Sequence, residues 1–273
     1  MRIARINGVL LHHAEEGDPA GRPVVFANSL GTDLRVWDAL LPHLPSGLRM
    51  IRYDMRGHGL SEAPAGDYYM GELVGDAAGL MDHLGAREAG FVGLSIGGVV
   101  AQGLAAERPD LVAAAVLCNT APKIGTEAMW QERITTVRGK GIAALADAVL
   151  ERWFTRGFRE GRAEELAGWR NMLVRTPVEG YAGCCAALAD TDLRDSTPRL
   201  RLPVLAVAGS EDGATPPDLV REMAGSIAGA RFALIRGAGH IPCVEAPAEL
   251  GALIGGFLRE AGLVRGSEQY RGA

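Results

Sequence analysis

The sequence has few cysteines, and none of them is spaced as a metal-binding or redox pair. It has four cysteines in 273 residues and no Cys-x-x-Cys motif. Two of the four are adjacent, and disulfide geometry disfavours a bridge between neighbours in the chain. This usage predicts buried free thiols and a reducing, cytoplasmic setting. The four positions are Cys118, Cys184, Cys185 and Cys243.

Long apolar runs and runs of positive charge are also missing. No apolar run reaches the ~18 residues that a membrane-spanning helix needs. The first residues, Met1 to Arg5, lead into an alternating pattern and not into the apolar stretch of a signal peptide. Lysine and arginine do not cluster, and the formal net charge is −5. We therefore expect neither nucleic acid nor a membrane as a partner, while the oligomeric state stays open.

The composition is that of a globular enzyme with one large domain. Hydrophobic residues make up 48% of the chain and charged residues 22%, so a chain of this length can bury a sizeable core. No internal repeat is visible. The sequence therefore predicts one compact unit, with room for an insertion.

Short apolar runs alternate with helix-like stretches along most of the chain. The predicted strands are Val24 to Ala27, Leu48 to Tyr53, Ala89 to Leu94, Leu111 to Cys118, Val204 to Ala208 and Phe232 to Ile235. The predicted helices among them are Leu34 to Leu44, Met70 to Leu84, Val99 to Ala106, Pro217 to Ala228 and Ala246 to Glu260. Such alternation predicts an α/β fold with a mostly parallel sheet and helices on both faces. The hairpin Ile3 to Ala14, with Asn7-Gly8 as its turn, is the antiparallel edge.

The alternation stops in the middle of the chain. No strand-like run occurs between Thr120 and Pro198, and four helical stretches take its place. These are Ala128 to Val137, Ile142 to Phe154, Ala163 to Val174 and Val178 to Asp190. We predict a core of residues 1–121 and 199–262, a helical cap of residues 122–198, and a flexible tail of residues 263–273.

A candidate nucleophile stands where a buried strand meets a helix. The motif Gly93-x-Ser95-x-Gly97 follows an apolar run and precedes a helical one. A serine in such a sharp turn has a strained backbone and an exposed hydroxyl, and the glycines leave room for neighbouring chain segments. The N–H groups at the start of the helix favour negative charge there. Ser95 is therefore the predicted nucleophile.

The serine needs a base, and the base needs a carboxylate. Of six histidines, His240 follows the last predicted strand, so it emerges at the same sheet edge as Ser95. Glu211 and Asp212 both follow the preceding strand. We favour Asp212, because it lies further past the strand end. Asp54 also ends a strand, but it precedes the nucleophile in the chain and is less favoured.

An acyl-transfer site also needs donors for the oxyanion of its tetrahedral intermediate. The backbone N–H of Ile96, the residue after the serine, is one candidate. The second donor should come from the loop after the Val24 to Ala27 strand, where we choose the N–H of Leu30.

Several stretches together carry a resemblance to a known family. They are Asn28 to Arg35, Asp54 to Ser61, Gly93 to Gly98, Leu117 to Ala121, Tyr181 to Ala186 and Gly239 to Pro242. On these, the chain resembles the α/β-hydrolases, whose triad runs in the order Ser, Asp, His. More narrowly, it is similar to the 3-oxoadipate enol-lactonases of the β-ketoadipate pathway. Most α/β-hydrolases have His-Gly where this chain has Asn28-Ser29, and that difference is expected of the enol-lactonases.

The resemblance implies a serine hydrolase that opens a small anionic lactone, with no metal or organic cofactor, in aromatic-compound catabolism. Something in the cap should then bind the free carboxylate of the substrate. The cap supplies Lys123, Arg133 and Arg138 as cations, with Trp130 and Trp153 as apolar walls. We rank Trp130 and Arg133 first, because a spacing of three places them on one helical face.

Three other functions are compatible with the same residues. The scaffold can serve a general esterase, another lactonase or a perhydrolase. It can also serve an acyltransferase that excludes water, or a ligand sensor that retains the triad.

Overall fold

The computed structural model describes residues 1–264, and of the predicted tail, residues 265–273 lie outside the described part. Eight strands form one sheet in the order β1-β2-β4-β3-β5-β6-β7-β8. In chain order they are β1 (Arg2–Ile6), β2 (Val9–Gly17), β3 (Arg22–Ala27), β4 (Leu48–Tyr53), β5 (Ala89–Leu94), β6 (Val112–Cys118), β7 (Val204–Gly209) and β8 (Arg231–Ile235). Strands β1 and β2 pair antiparallel, as do β2 and β4, and the remaining pairs are parallel. The predicted α/β fold is confirmed.

The central strands are apolar along their whole length because both faces of the sheet are covered. All six residues of β5 and all six of β7 are buried. At the edge, the predicted hairpin is present. Its turn residues Asn7 and Gly8 have positive φ values of 48° and 84°, as a two-residue hairpin turn favours.

Most of the predicted helices are present, and the structure adds two short ones, Arg156–Gly161 and Pro242–Glu245, that the sequence pattern did not predict. In chain order, the helices are α1 (Met70–His83), α2 (Ile96–Glu107), α3 (Glu127–Lys140), α4 (Ala146–Trp153), α5 (Arg156–Gly161), α6 (Ala163–Val174), α7 (Val178–Asp190), α8 (Pro217–Ser226), α9 (Pro242–Glu245) and α10 (Pro247–Glu260). Helices α3 to α7 lie between β6 and β7 in the chain, and α3 packs against α7. No helix in residues 1–264 is long and apolar enough to cross a membrane.

The helix predicted from Leu34 to Leu44 is wrong. The segment forms two short 3-10 helices, Leu34–Trp37 and Leu41–His43, with Pro42 inside the second. Proline has no N–H for a helical hydrogen bond, and its ring clashes with the preceding turn, so one α-helix cannot run through this position. The apolar stripe that suggested a helix is still buried, because Val36, Trp37 and Leu40 pack into the core.

Helix α7 lies directly on a core turn. A Cβ on Gly180 would lie 2.1 Å from the carbonyl oxygen of Gly57, so the two backbones touch. Next along the helix, Tyr181 and Cys184 are fully buried. All four cysteines are free and buried, as the sequence predicts.

Candidate active site

Ser95 occupies a strained turn between β5 and α2. Its φ is +57°, in a region of backbone conformation that residues other than glycine seldom adopt. The turn needs glycine at positions 93 and 97, because other backbone atoms occupy the space of a Cβ. A Cβ on Gly93 would lie 2.2 Å from the Gly97 oxygen, and one on Gly97 would lie 2.2 Å from the Ala27 oxygen. Thr120 Oγ1 donates to the Ser95 carbonyl oxygen at 2.7 Å. This bond fixes the turn to the segment that follows β6.

The structure brings His240 and Asp212 into direct contact. His240 Nδ1 lies 2.9 Å from Asp212 Oδ2, and both residues are buried. Glu211, the other carboxylate weighed from the sequence, is exposed. Burial opposes ionisation of Asp212, but the charge and hydrogen bond of His240, together with the hydrogen bonds from Thr215, outweigh it and lower its pKa. Asp212 is therefore an anion that can hold the imidazole in one tautomer.

Asp212 is held by donors that the sequence did not single out. Its Oδ2 also accepts hydrogen bonds from Asn119 Nδ2 at 2.6 Å and from Thr215 Oγ1 at 2.7 Å. Its Oδ1 accepts from the N–H groups of Ala214 at 2.7 Å and Thr215 at 3.0 Å. Asn119 directly follows β6, so its place at the end of a parallel strand was the available signal.

The loop that carries His240 is tied to the segment between β6 and β7. The His240 N–H donates to the Trp153 carbonyl oxygen at 2.8 Å. The Gly239 N–H donates to Glu245 Oε2 at 2.6 Å, and Glu245 Oε1 accepts from the Thr155 hydroxyl at 2.8 Å. The end of helix α4 therefore helps to hold the loop that positions the imidazole.

Asp54, the less favoured carboxylate, has a structural place away from the nucleophile. Its Oδ1 accepts from the Leu34 N–H at 2.7 Å, and its Oδ2 accepts from the Leu60 N–H at 2.9 Å. The same Oδ2 lies 2.8 Å from His12 Nδ1. These contacts fix two loops to the end of β4.

Ser95 and His240 share a small cavity of about 90 Å³. The predicted side chains Trp130, Arg133 and Trp153 all line it. The remaining lining residues are Ser29, Leu30, Ile124, Gly125, Met129, Val149, Arg152, Tyr181, Leu188 and Ala214. Ser29, Arg152 and Tyr181 were not among the predicted site residues, although Ser29 and Tyr181 lie in stretches that carry the family resemblance. The cavity has an apolar wall with a few polar groups, as is typical of a small-molecule site.

The cations of the cap divide into two groups. Arg133 lies over the ring of Trp130, with 5.2 Å from Cζ to the ring centroid, and it donates to the Tyr181 hydroxyl at 3.3 Å. Lys123 instead pairs with an aspartate at 3.2 Å, and Arg138 pairs with two surface carboxylates at 2.9 and 3.1 Å. Neither Lys123 nor Arg138 lines the cavity, so Arg133 is the one of these three predicted cations that does.

The two predicted oxyanion donors are the N–H groups of Leu30 and Ile96. Leu30 lines the cavity, and Ile96 is the first residue of α2, whose leading N–H groups have no helical acceptor. Within residues 1–264, neither N–H donates to another protein group. The next N–H, that of Gly31, donates to His58 Nε2 at 2.9 Å.

A larger cleft of about 770 Å³ lies between α6 and residues 32–39. Neither Ser95 nor His240 lines this cleft, so the smaller cavity is the candidate active site. In residues 1–264, no group of three or more His, Cys, Asp or Glu side chains is arranged to hold a metal ion.

Comparison with known proteins agrees with this geometry. Residues 22–138 match the family model described as alpha/beta hydrolase fold. The chain is 39% identical over 207 residues to 3-oxoadipate enol-lactonase 2 of Acinetobacter baylyi, covering 76% of this chain and 78% of that protein. It is 32% identical over 236 residues to 3-oxoadipate enol-lactonase 1 of the same organism, covering 86% and 88%.

Solved structures give the same result. The crystal structure of the enol-lactonase from Burkholderia xenovorans LB400 superposes with a TM-score of 0.92 at 41% identity, covering 94% of this chain and 100% of that one. An esterase from Thermogutta terrifontis superposes with a TM-score of 0.90 at 28% identity, covering 96% and 99%. The chain therefore belongs to the α/β-hydrolase family and is a carboxylic-ester hydrolase.

Proposed function

We propose that the protein opens the lactone ring of 3-oxoadipate enol-lactone to give 3-oxoadipate, in the catabolism of aromatic compounds. One observation carries the proposal: a single cavity wall combines Ser95 and His240 with the cation of Arg133. The first two residues suit an ester carbonyl, and the third suits a substrate with a free carboxylate. The names of the enol-lactonase relatives support this choice of substrate.

In the proposed reaction, Ser95 Oγ attacks the ring carbonyl carbon while His240 Nε2 takes the hydroxyl proton. Asp212 accepts the hydrogen bond of the Nδ1–H and stabilises the imidazolium that forms. The carbonyl oxygen becomes an oxyanion, which the N–H groups of Leu30 and Ile96 hold. The intermediate collapses when the ring C–O bond breaks, and the enolate oxygen departs.

An enolate is a better leaving group than a simple alkoxide, so the demand on His240 as general acid is modest. The enolate oxygen takes the proton from the His240 imidazolium, which becomes a neutral base again. The resulting enol, still part of the acyl chain on Ser95, tautomerises to the ketone. His240 then takes a proton from water, whose oxygen attacks the acyl carbon. The Ser95 oxygen leaves with a proton from His240, which frees 3-oxoadipate and restores the enzyme.

Substrate orientation depends on the cap side of the cavity. Arg133 would meet the free carboxylate, since its guanidinium is already held by the Trp130 ring and the Tyr181 hydroxyl. A planar cation fixed in this way loses less freedom when it binds a carboxylate. Trp153 forms an apolar wall beside the His240 loop.

The substrate assignment is tested by following loss of the enol-lactone spectrophotometrically, beside a neutral aryl ester at the same concentration. We expect the higher kcat/KM for the lactone. A clear preference for the aryl ester would reject this substrate. Ser95→Ala should lower kcat on both substrates by at least about a thousandfold, and near-full activity in that variant would reject the nucleophile.

The role of Arg133 is tested by Arg133→Ala. Removing a charged hydrogen-bond donor should raise KM for the anionic lactone by about tenfold or more, with little effect on the neutral ester. Arg138→Ala is the matched control on the same helix, because Arg138 is ion-paired at the surface and does not line the cavity. An unchanged KM in Arg133→Ala would remove this residue from the proposal.

A further inference from the structure

One buried hydroxyl in the active-site wall, that of Ser29, has no hydrogen-bond partner in residues 1–264. Within residues 1–264, four buried side-chain polar atoms are unpaired: His13 Nδ1, Ser29 Oγ, Tyr53 OH and Asn119 Oδ1. Of these four residues, Ser29 alone lines the cavity that holds Ser95 and His240. Ser29 is 1% exposed, so bulk water does not satisfy its hydroxyl. A buried hydroxyl without a partner destabilises a protein, and such a group needs an explanation.

Hydrogen bonds fix the loop on both sides of the Ser29 side chain. Asn28 donates through Nδ2 to the Tyr53 carbonyl oxygen at 2.9 Å and accepts from Trp37 Nε1 at 2.8 Å. The Ser29 carbonyl oxygen accepts from the N–H of Thr32 at 3.1 Å and from its hydroxyl at 2.8 Å. The loop therefore has a fixed shape, and no protein group in residues 1–264 pairs with the Ser29 hydroxyl.

Position 29 directly precedes Leu30, the proposed oxyanion donor. Where most α/β-hydrolases have glycine, this chain has a side chain that carries a donor. A hydroxyl can donate to an oxygen atom whose negative charge grows during the reaction, and such a bond strengthens in the transition state. Because the loop is already fixed, little reorganisation accompanies that bond.

We propose that the Ser29 hydroxyl is a third oxyanion donor, which hydrogen-bonds to the acyl oxygen of the substrate beside the N–H groups of Leu30 and Ile96. The inference rests on the acyl-transfer chemistry of the proposed function. It adds a side-chain donor to a hole otherwise built from backbone, so one substitution can remove it.

The test is Ser29→Ala, assayed on both the enol-lactone and a neutral aryl ester, with the melting temperature measured in parallel. We expect kcat to fall by at least about tenfold on both substrates, because both form an oxyanion. We expect the melting temperature to stay the same or rise, because the lost hydroxyl had no partner. If the role of Ser29 were purely structural, its removal would not lower activity while leaving stability unchanged or higher.

Two control variants give the comparison. Thr32→Val removes a hydroxyl of the same loop that does have a partner, so its melting temperature should fall. Ser226→Ala lies at the end of α8, away from the cavity, and should leave kcat unchanged. Ser29→Cys keeps the shape of the side chain but replaces the hydroxyl with a slightly larger and weaker donor, and it should lower kcat as Ser29→Ala does.

Inhibition by phenylboronic acid gives a readout that is independent of turnover, because its tetrahedral adduct on a serine mimics the intermediate. Ser29→Ala should weaken that inhibition in proportion to its loss of kcat. An unchanged kcat on both substrates would overturn the inference. So would a change limited to KM for the lactone, which would assign the hydroxyl to the carboxylate, or a loss of stability that matches the loss of activity. If the wild type prefers the aryl ester but Ser29→Ala still loses kcat on it, the substrate proposal fails while the role of Ser29 stands.

Discussion

His58 Nε2 accepts a hydrogen bond from the Gly31 N–H at 2.9 Å, one residue past the proposed oxyanion donor Leu30. Since a backbone N–H can only donate, the neutral His58 ring carries its proton on Nδ1, which lies 3.2 Å from the Arg56 carbonyl oxygen. His58 is fully buried, and Cys184 of α7 lies 4.0 Å from Nδ1. The histidine thus joins the turn after β4 to the loop after β3, and it lies directly against α7.

Replacing His58 should slow the reaction more than it weakens substrate binding. His58→Leu leaves the Gly31 N–H without its acceptor and frees the loop that carries Leu30. We expect kcat to fall about tenfold or more, in line with the loss of a fixed oxyanion donor. His58→Gln places a side-chain oxygen near the original Nε2 and should recover part of kcat. Steady-state kinetics on both variants, at matched melting temperatures, decide the point, and no recovery in Gln would count against the loop-positioning role.

Mild acid should destabilise the protein through its buried histidines. Burial lowers the pKa of His58 below the usual 6.5, against the opposing effect of the Arg56 carbonyl and of two nearby aspartates, and burial also lowers the pKa of His13. A histidine that is harder to protonate in the folded state gives full stability above the unfolded pKa, and that stability is lost as the pH falls below it.

We therefore expect the melting temperature to fall between about pH 7 and pH 5, before most carboxylates titrate. The fall should be shallower in His58→Gln, which cannot be protonated in this range. Differential scanning calorimetry across these pH values measures the slopes. Equal slopes in the two proteins would show that His58 does not contribute.

Asn119 should help to keep Asp212 ionised and oriented toward His240. Its Nδ2 donates to Asp212 Oδ2 at 2.6 Å, and its backbone has a φ of +46°, which asparagine tolerates better than most residues. Asn119→Asp would replace a donor by a second carboxylate, so one of the two acids would be protonated at neutral pH. We expect kcat to fall by about ten- to a hundredfold, with a smaller fall for Asn119→Ala. A pH–rate profile identical to that of the wild type would contradict this.

Arg152 should contribute to recognition of an anionic substrate. It lines the cavity with Ser95, and within residues 1–264 it has no ion-pair partner. Arg152→Ala should raise KM for the anionic lactone by a few fold and leave the neutral ester unaffected, because an exposed cation acts weakly. The effect should shrink as salt is added. Arg156→Ala is the control, since Arg156 is exposed and already pairs with Glu160 at 2.7 Å; equal effects in both variants would rule out a local role.

The contact between Gly57 and Gly180 should be essential to how α7 sits on the core. Gly180→Ala places a Cβ 2.1 Å from the Gly57 oxygen, so the helix must move away. Overpacking of this kind costs about 1–3 kcal/mol of unfolding free energy. Gly168→Ala in α6 meets nothing within 4 Å and should stabilise the protein by up to about 1 kcal/mol. Urea denaturation of the two variants should therefore give shifts of opposite sign.

Local patterns in the sequence predict most of the fold. Alternation of apolar runs and helical stretches identifies the parallel sheet, and Asn7-Gly8 identifies the hairpin, because both signals depend only on near neighbours in the chain. The error at Leu34 to Leu44 has the same origin. The apolar residues there have helical spacing, but Pro42 forbids a continuous helix.

From the sequence alone, Ser95, Asp212 and His240 each follow a predicted strand, and they are expected at one edge of the sheet because the ends of parallel strands meet there. Which groups surround them follows from the three-dimensional packing. The hydrogen bonds of Asn119 with Asp212 and of Gly31 with His58 join segments far apart in the chain, and so does the cavity that Arg152, Ser29 and Ser95 line together. No periodicity or spacing encodes such contacts, since they depend on how separate elements pack in three dimensions.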